Sequence, residues 1–266
     1  MTVSDSSMPI AHYLENPRKV AIGASIQWIR EGWSIVWRDL SAWISIILMI
    51  MIGFFVCAAI SIFIPYLGNI ILMAFYAVTS GGLLIGVHRS VVQNIPLDVD
   101  TLWAGINDKW LELAILGVVN LFLSIILNWS SDYMDENYLD LILVNDTNIQ
   151  ELMLYVIYIA VYFFIILITS VIYILAIPII VFNKINTLAA IKSSLKGSLV
   201  NIISLSIYTL LIIILITVVM LSFLLIYKSF DTNFMSIAER WSQLISFILL
   251  PIIKTSSYLA YKDIYV

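Results

Sequence analysis

The sequence predicts an all-α, polytopic membrane protein with six transmembrane helices and amphipathic helices on the cytoplasmic side. Three observations carry this. The run Leu152–Asn183 holds 32 residues without a charged side chain, where about 20 apolar residues suffice to span a bilayer as a helix. Hydrophobic residues make up 62% of the chain and charged residues 11%, against about 45–50% and about 25% in a soluble domain. Of the thirteen Lys and Arg residues, eleven fall on one side of a six-span layout, the side that the positive-inside rule places in the cytoplasm.

In chain order, residues 1–15 read as a disordered tail and 16–266 as one membrane domain. Asn16-Pro17 reads as a helix start, with Asn as N-cap and Pro at the first helical position. Ile22, Ile26, Ile29, Trp33, Val36 and Leu40 recur at spacings of three and four, which makes one apolar helical face. Trp33, Trp37 and Trp43 are interfacial anchors in this reading, because tryptophan favours the membrane–water boundary. The first span is expected at 41–64. Pro65–Asn69 reads as a short turn, followed by a second span at 70–87. Gly82 and Gly86 give that span a small-xxx-small spacing, which lets two helix backbones approach closely; packing within the chain is expected over a dimer seam.

A polar link from 94 to 110 carries a second amphipathic segment, with Trp103 and Trp110 as further interfacial anchors. The third span is expected at 111–128. The loop to Glu151 holds six acids and no base, without the spacing of a calcium loop. The fourth span, 152–181, contains Pro178, where a bend or stop is expected because proline removes a backbone donor and clashes with the preceding turn. A third amphipathic segment, 184–199, places Leu188, Ile191, Leu195 and Leu199 on one face. Spans five and six are expected at 200–227 and 241–261. An amphipathic segment followed by a two-span hairpin thus occurs three times, starting near Arg18, Asp98 and Lys184. Identity between these units is too low to establish a duplication, so pseudo-repeat describes the layout.

Several chemistries lack their residues. There is no His-Glu-x-x-His helix, no Gly-x-Ser-x-Gly elbow, no phosphate-binding loop and one cysteine, Cys57. Those patterns carry zinc, acyl-transfer and nucleotide chemistry, so an enzyme, a cofactor and a nucleic-acid partner are not expected. The most interior charge is Lys254. It is expected to extend its head to the interface; contact with an anion or lipid headgroup is the alternative, as it is for Lys192, Lys196 and Arg89. An enzyme acting on lipids would need Lys254, His88 and Arg89 to converge.

The ending Tyr258-x-x-Tyr261-Lys262-Asp263-Ile264-Tyr265 resembles that of an uncharacterised family of six-span proteobacterial inner-membrane proteins. Gly32-Trp33 with Trp37, and Pro178 followed by Ala189-Ala190-Ile191-Lys192-Ser193-Ser194, resemble other marked positions of that family. The likeness covers about 20 residues by motif and most of the chain by layout. That family has no established activity, so the likeness implies a bacterial inner membrane and little more. The expectation is a non-enzymatic scaffold or regulator with a cytoplasmic amphipathic collar, both termini in the cytoplasm, and membrane lipids or another membrane protein as partners. The alternative is a transporter or channel component for an apolar or weakly polar solute.

Overall fold

The computed structural model describes residues 16–134, 149–228 and 234–266, and the described residues hold helices and no strand. In order they are α1 (Ala24–Arg38), α2 (Leu40–Phe63), α3 (Pro65–Val92), α4 (Thr101–Met134), α5 (Ile149–Asn183), α6 (Thr187–Val200), α7 (Ile202–Lys228) and α8 (Phe234–Tyr265). Among the described residues five helical stretches are long and apolar enough to cross a bilayer: Leu40–Phe63, Pro65–Val92, Lys109–Asp132, Leu152–Asn183 and Ile202–Ser222. The tail 1–15 lies outside the described residues, as do Asp135, Glu136, Asp140 and Asp146 of the acidic loop.

The helix boundaries depart from expectation at instructive places. Asn16-Pro17 does not start a helix; α1 begins at Ala24. The backbone of 16–20 is engaged elsewhere. Arg18 donates its N–H to Ile264 O at 2.8 Å, and Val20 donates to the Asn201 side chain at 2.8 Å. Pro65–Asn69 is not a turn. Pro65 is the first residue of α3, where its missing N–H costs nothing, and the chain reverses at Ile64 (φ −137°, ψ 81°). Lys109, with φ −142° and ψ 26°, breaks α4 and separates the short piece 101–108 from the membrane-length remainder.

Pro178 does not stop α5, which is helical to Asn183. Ile177, Ile179 and Ile180 around it are almost wholly buried. Packing on both sides of the proline therefore holds the helix through the lost hydrogen bond. Lys184, at φ 53°, then takes the left-handed conformation that ends many helices. The segment that turns away is thus α6, not the last turn of α5.

Three helices form the centre. α3, α5 and α8 contact one another, while α2, the long part of α4 and α7 lie outside them. Burial follows this order. Residues Thr79 to Val87 of α3 are buried without a gap, as are Leu175 to Ile180 of α5 and Lys254 to Tyr261 of α8. The outer helices expose large apolar side chains instead, such as Ile52, Phe55, Phe122 and Ile126. Glycines set the tightest contact. A Cβ on Gly82 would sit 2.5 Å from the Leu102 carbonyl oxygen, and one on Gly105 would sit 2.8 Å from Gly82 N.

Candidate functional site

The most buried charge is at the centre of the three inner helices. Lys254 of α8 is 5% exposed. Its Nζ lies 4.9 Å from the centroid of the Tyr76 ring on α3 and donates to Tyr76 Oη at 3.5 Å. Tyr173 of α5 stacks on Tyr76, centroids 6.4 Å apart and planes 11° apart. The Tyr173 hydroxyl is buried without a hydrogen-bond partner. Each inner helix therefore contributes one side chain to this cluster. Tyr76 stands eleven residues after Pro65 and sixteen before Val92, near the middle of a spanning helix. The expected extension of Lys254 to the interface does not occur. Helical side chains lean toward their own N-terminus, and here that direction carries the ammonium inward.

Below the lysine, α8 turns hydroxyl-rich. Thr255, Ser256 and Ser257 are all buried. Thr255 and Ser256 donate back to the carbonyls of Pro251 and Ile252, and Ser257 to that of Lys254. This side-chain bonding supplies acceptors with donors in the turns after Pro251. Ser256 also meets the Tyr208 hydroxyl at 2.7 Å. Its small size lets α1 approach: a Cβ on Gly32 would sit 3.1 Å from Ser256 N.

The end of α8 ties the molecule together. Tyr258 Oη lies 2.9 Å from His88 Nδ1 on α3. Tyr261 Oη donates to Asn183 Oδ1 at 2.8 Å. Trp28 Nε1 of α1 donates to Asp263 Oδ2 at 2.7 Å. Tyr265 Oη donates to the Ser193 carbonyl of α6 at 2.6 Å. Phe182 stacks on Tyr261, and Tyr261 stacks on Tyr265. The ends of α3 and α5, the segments α1 and α6, and the C-terminus thus meet at one end of the bundle.

At that end α1, segment 101–108 and α6 share one pattern. α1 buries Ser25, Trp28, Gly32, Ile35 and Val36 and exposes Ile26, Trp33 and Trp37, with Ile22 exposed just before it. Segment 101–108 buries Thr101, Leu102 and Gly105 and exposes Trp103 and Ile106. α6 buries Ala190, Ser194 and Gly197 and exposes Leu188, Leu195 and Leu199. Small residues pack inward beside Trp28, Ile35, Val36 and Leu102, while other large apolar side chains look outward. Trp33, Trp37, Trp103 and Trp110 are each about half exposed or more. Trp43 is different: it is fully buried at the start of α2, so it belongs to the core and not to the boundary.

Lys192 and Lys196 are exposed on α6, and Lys196 bonds Asn16 Oδ1. Arg89 is half-buried at the end of α3. Lys254, His88 and Arg89 do not converge, because Tyr76 under the lysine and His88 are twelve residues apart on α3, roughly 18 Å along a helix. Gly82 and Gly86 face the start of α4 and the segment before it, with a Gly86 Cβ falling 2.9 Å from Leu97 and 3.0 Å from Thr101.

A groove of about 240 Å³ lies between α4 and α5, lined by Asn120, Ser124, Asn128, Tyr162, Thr169 and Ser170 among others. Sequence reasoning singled out the lysine but missed its two tyrosines, whose partnership spans nearly 100 residues of chain. No protein-family model, no curated protein and no solved structure matches the chain.

Proposed function

We propose that this chain is a six-span bacterial inner-membrane protein that scaffolds or regulates a membrane partner through its amphipathic collar, without catalysing a reaction. α8 is the sixth span, and both termini are cytoplasmic. The chain is built as three units, each an amphipathic segment, an outer helix and an inner helix. Each segment packs on the inner helix of the preceding unit: 101–108 on α3, α6 on α5, and α1 on α8. The observation that carries the reading is the outward set of large apolar side chains on all three segments at one end of the bundle. Such a face is stable against lipid or a partner helix and unfavourable in water.

The test compares the wild type with a variant carrying Trp33→Ser, Trp37→Ser, Leu195→Ser and Leu199→Ser, both in nanodiscs. Exposed substitutions change stability by no more than about 0.5 kcal/mol each, so the variant folds. It is expected to lose preference for anionic lipid and cross-linking to its membrane partner. A wild type that captures no partner and does not distinguish anionic from zwitterionic lipid overturns the proposal.

The groove between α4 and α5 favours a second reading, transport of a weakly polar solute. Its lining is neutral and hydrogen-bonding at membrane depth. Solute flux in proteoliposomes that Asn120→Leu abolishes would support transport over scaffolding.

A further inference from the structure

The Lys254 cluster has a surplus of donors. An ammonium can donate three hydrogen bonds, and Lys254 makes one, at 3.5 Å, to Tyr76. Among the described residues no carboxylate pairs with it; the ion pairs there are Arg38–Asp39 and Lys109–Glu112. The Tyr173 hydroxyl adds a further donor that is buried and unpartnered. The hydroxyls of Thr255, Ser256 and Ser257 are turned back onto their own helix. The position at mid-helix on α3 also removes the usual reason for a lysine in a membrane span, which is to reach the interface.

A charge held at bilayer depth is costly and persists mainly where it has work to do. A buried cation is tolerated when paired. The Tyr76 face supplies part of that by cation–π attraction, yet leaves the net charge in place. An anion would neutralise it and accept from the ammonium and the free phenol together, forming the short, charge-assisted bonds that such groups favour.

A partly polar groove opens beside the cluster on α5. Tyr162, Ile166, Thr169 or Ser170, and Tyr173 follow one another on α5 at steps of three and four, so they share one face. The groove between α4 and α5 ends at Thr169 and Ser170, one turn from Tyr173. The Asn120 side chain lines it and makes no hydrogen bond among the described residues, so the groove offers a donor to whatever enters. The lining carries no charge, and Asp132 beyond it is exposed, where salt screens its field within about 8 Å.

We infer that Lys254, Tyr76 and Tyr173 form a binding site at bilayer depth for a small monovalent anion, a halide or a short carboxylate, reached through the α4–α5 groove. One positive charge and two phenols fit one negative charge; a dianion such as phosphate leaves a charge uncompensated. The site stands apart from the collar and does not depend on its role.

The test uses the full chain in zwitterionic nanodiscs. Sodium bromide, or sodium acetate, is titrated against sodium gluconate at constant ionic strength, and the unfolding temperature is followed. Ligand that binds only the folded state raises that temperature in a saturable way. The wild type is expected to show saturation, Tyr173→Phe to bind about tenfold more weakly, and Lys254→Met to lose the response. If Lys254→Met does not fold, Tyr173→Phe still decides, because it removes one hydroxyl and keeps the ring. A wild type without a saturable response overturns the inference, and so does a Tyr173→Phe variant with unchanged bromide affinity.

Discussion

The Trp28–Asp263 bond shows how much depends on single polar contacts here. Trp28 is 1% exposed, and its Nε1 reaches a carboxylate from the last turn of α8. Hydrogen bonds to charged groups contribute about 1.5–3 kcal/mol. Trp28→Phe keeps most of the buried area and removes the donor, so a loss of about 2 kcal/mol is expected in reversible unfolding in detergent. Asp263→Asn retains an acceptor and should cost less than half as much. A double variant whose loss is no greater than that of Trp28→Phe alone would assign the effect to this pair; full additivity would contradict it. Tryptophan at 28 was legible as membrane-protein composition, and Asp263 as part of an ending. Their contact was not, because 235 residues separate them and no local spacing encodes a bond between two distant helices. The same holds for Trp43. Sequence groups it with the boundary tryptophans by type and neighbourhood, and the core claims it by packing.

Elements were legible where they are long and apolar. A 32-residue uncharged run forms a helix in a membrane because each backbone donor and acceptor must be satisfied within the segment. Boundaries were harder to read. Pro178 marks a break by the ordinary rule, yet α5 continues through it, since neighbouring helices hold the chain on either side. Pro178→Ala therefore restores one backbone bond in a helix already formed. Thermal unfolding is expected to stay level or rise by a few degrees; a clear fall would show that the helix needs the proline's geometry. Periodicity picked out the large apolar positions of α1, 101–108 and α6, but not the buried positions Ser25, Trp28, Gly32, Gly105 and Gly197 that pack these segments onto the bundle. A sequence shows which residues are apolar, not whether an apolar face meets protein or lipid. In water the large apolar face turns inward. At a membrane boundary the lipid can take it, and the small face is free to pack closely, as Gly32 does on Ser256 and Gly197 does on Tyr265.

For the whole molecule, the distribution of lysine and arginine groups the N-terminal segment, the link before α4, α6 and the C-terminus together, and the structure gathers these at one end of the bundle. Sidedness can be measured directly. In a Cys57→Ser background, Lys192→Cys is expected to react with a membrane-impermeant maleimide only after the inner face is opened. Asp132→Cys is expected to react in intact cells. The reverse pattern would invert the proposed orientation while leaving the fold unchanged.

By itself the sequence determined that this is an all-helical membrane chain, where its uncharged runs lie, and which links share a side. Those follow from solvation: hydrocarbon admits apolar side chains and internally bonded backbone, and both are properties of a contiguous stretch. The tertiary structure decided which helices are central, that the last helix braces the others through its terminal turns, and that Lys254 meets Tyr76, on which Tyr173 stacks. Those depend on contacts among α1, α3, α5, α6 and α8. Such contacts arise from shape and donor–acceptor matching between segments far apart in the chain, and no single stretch contains both halves.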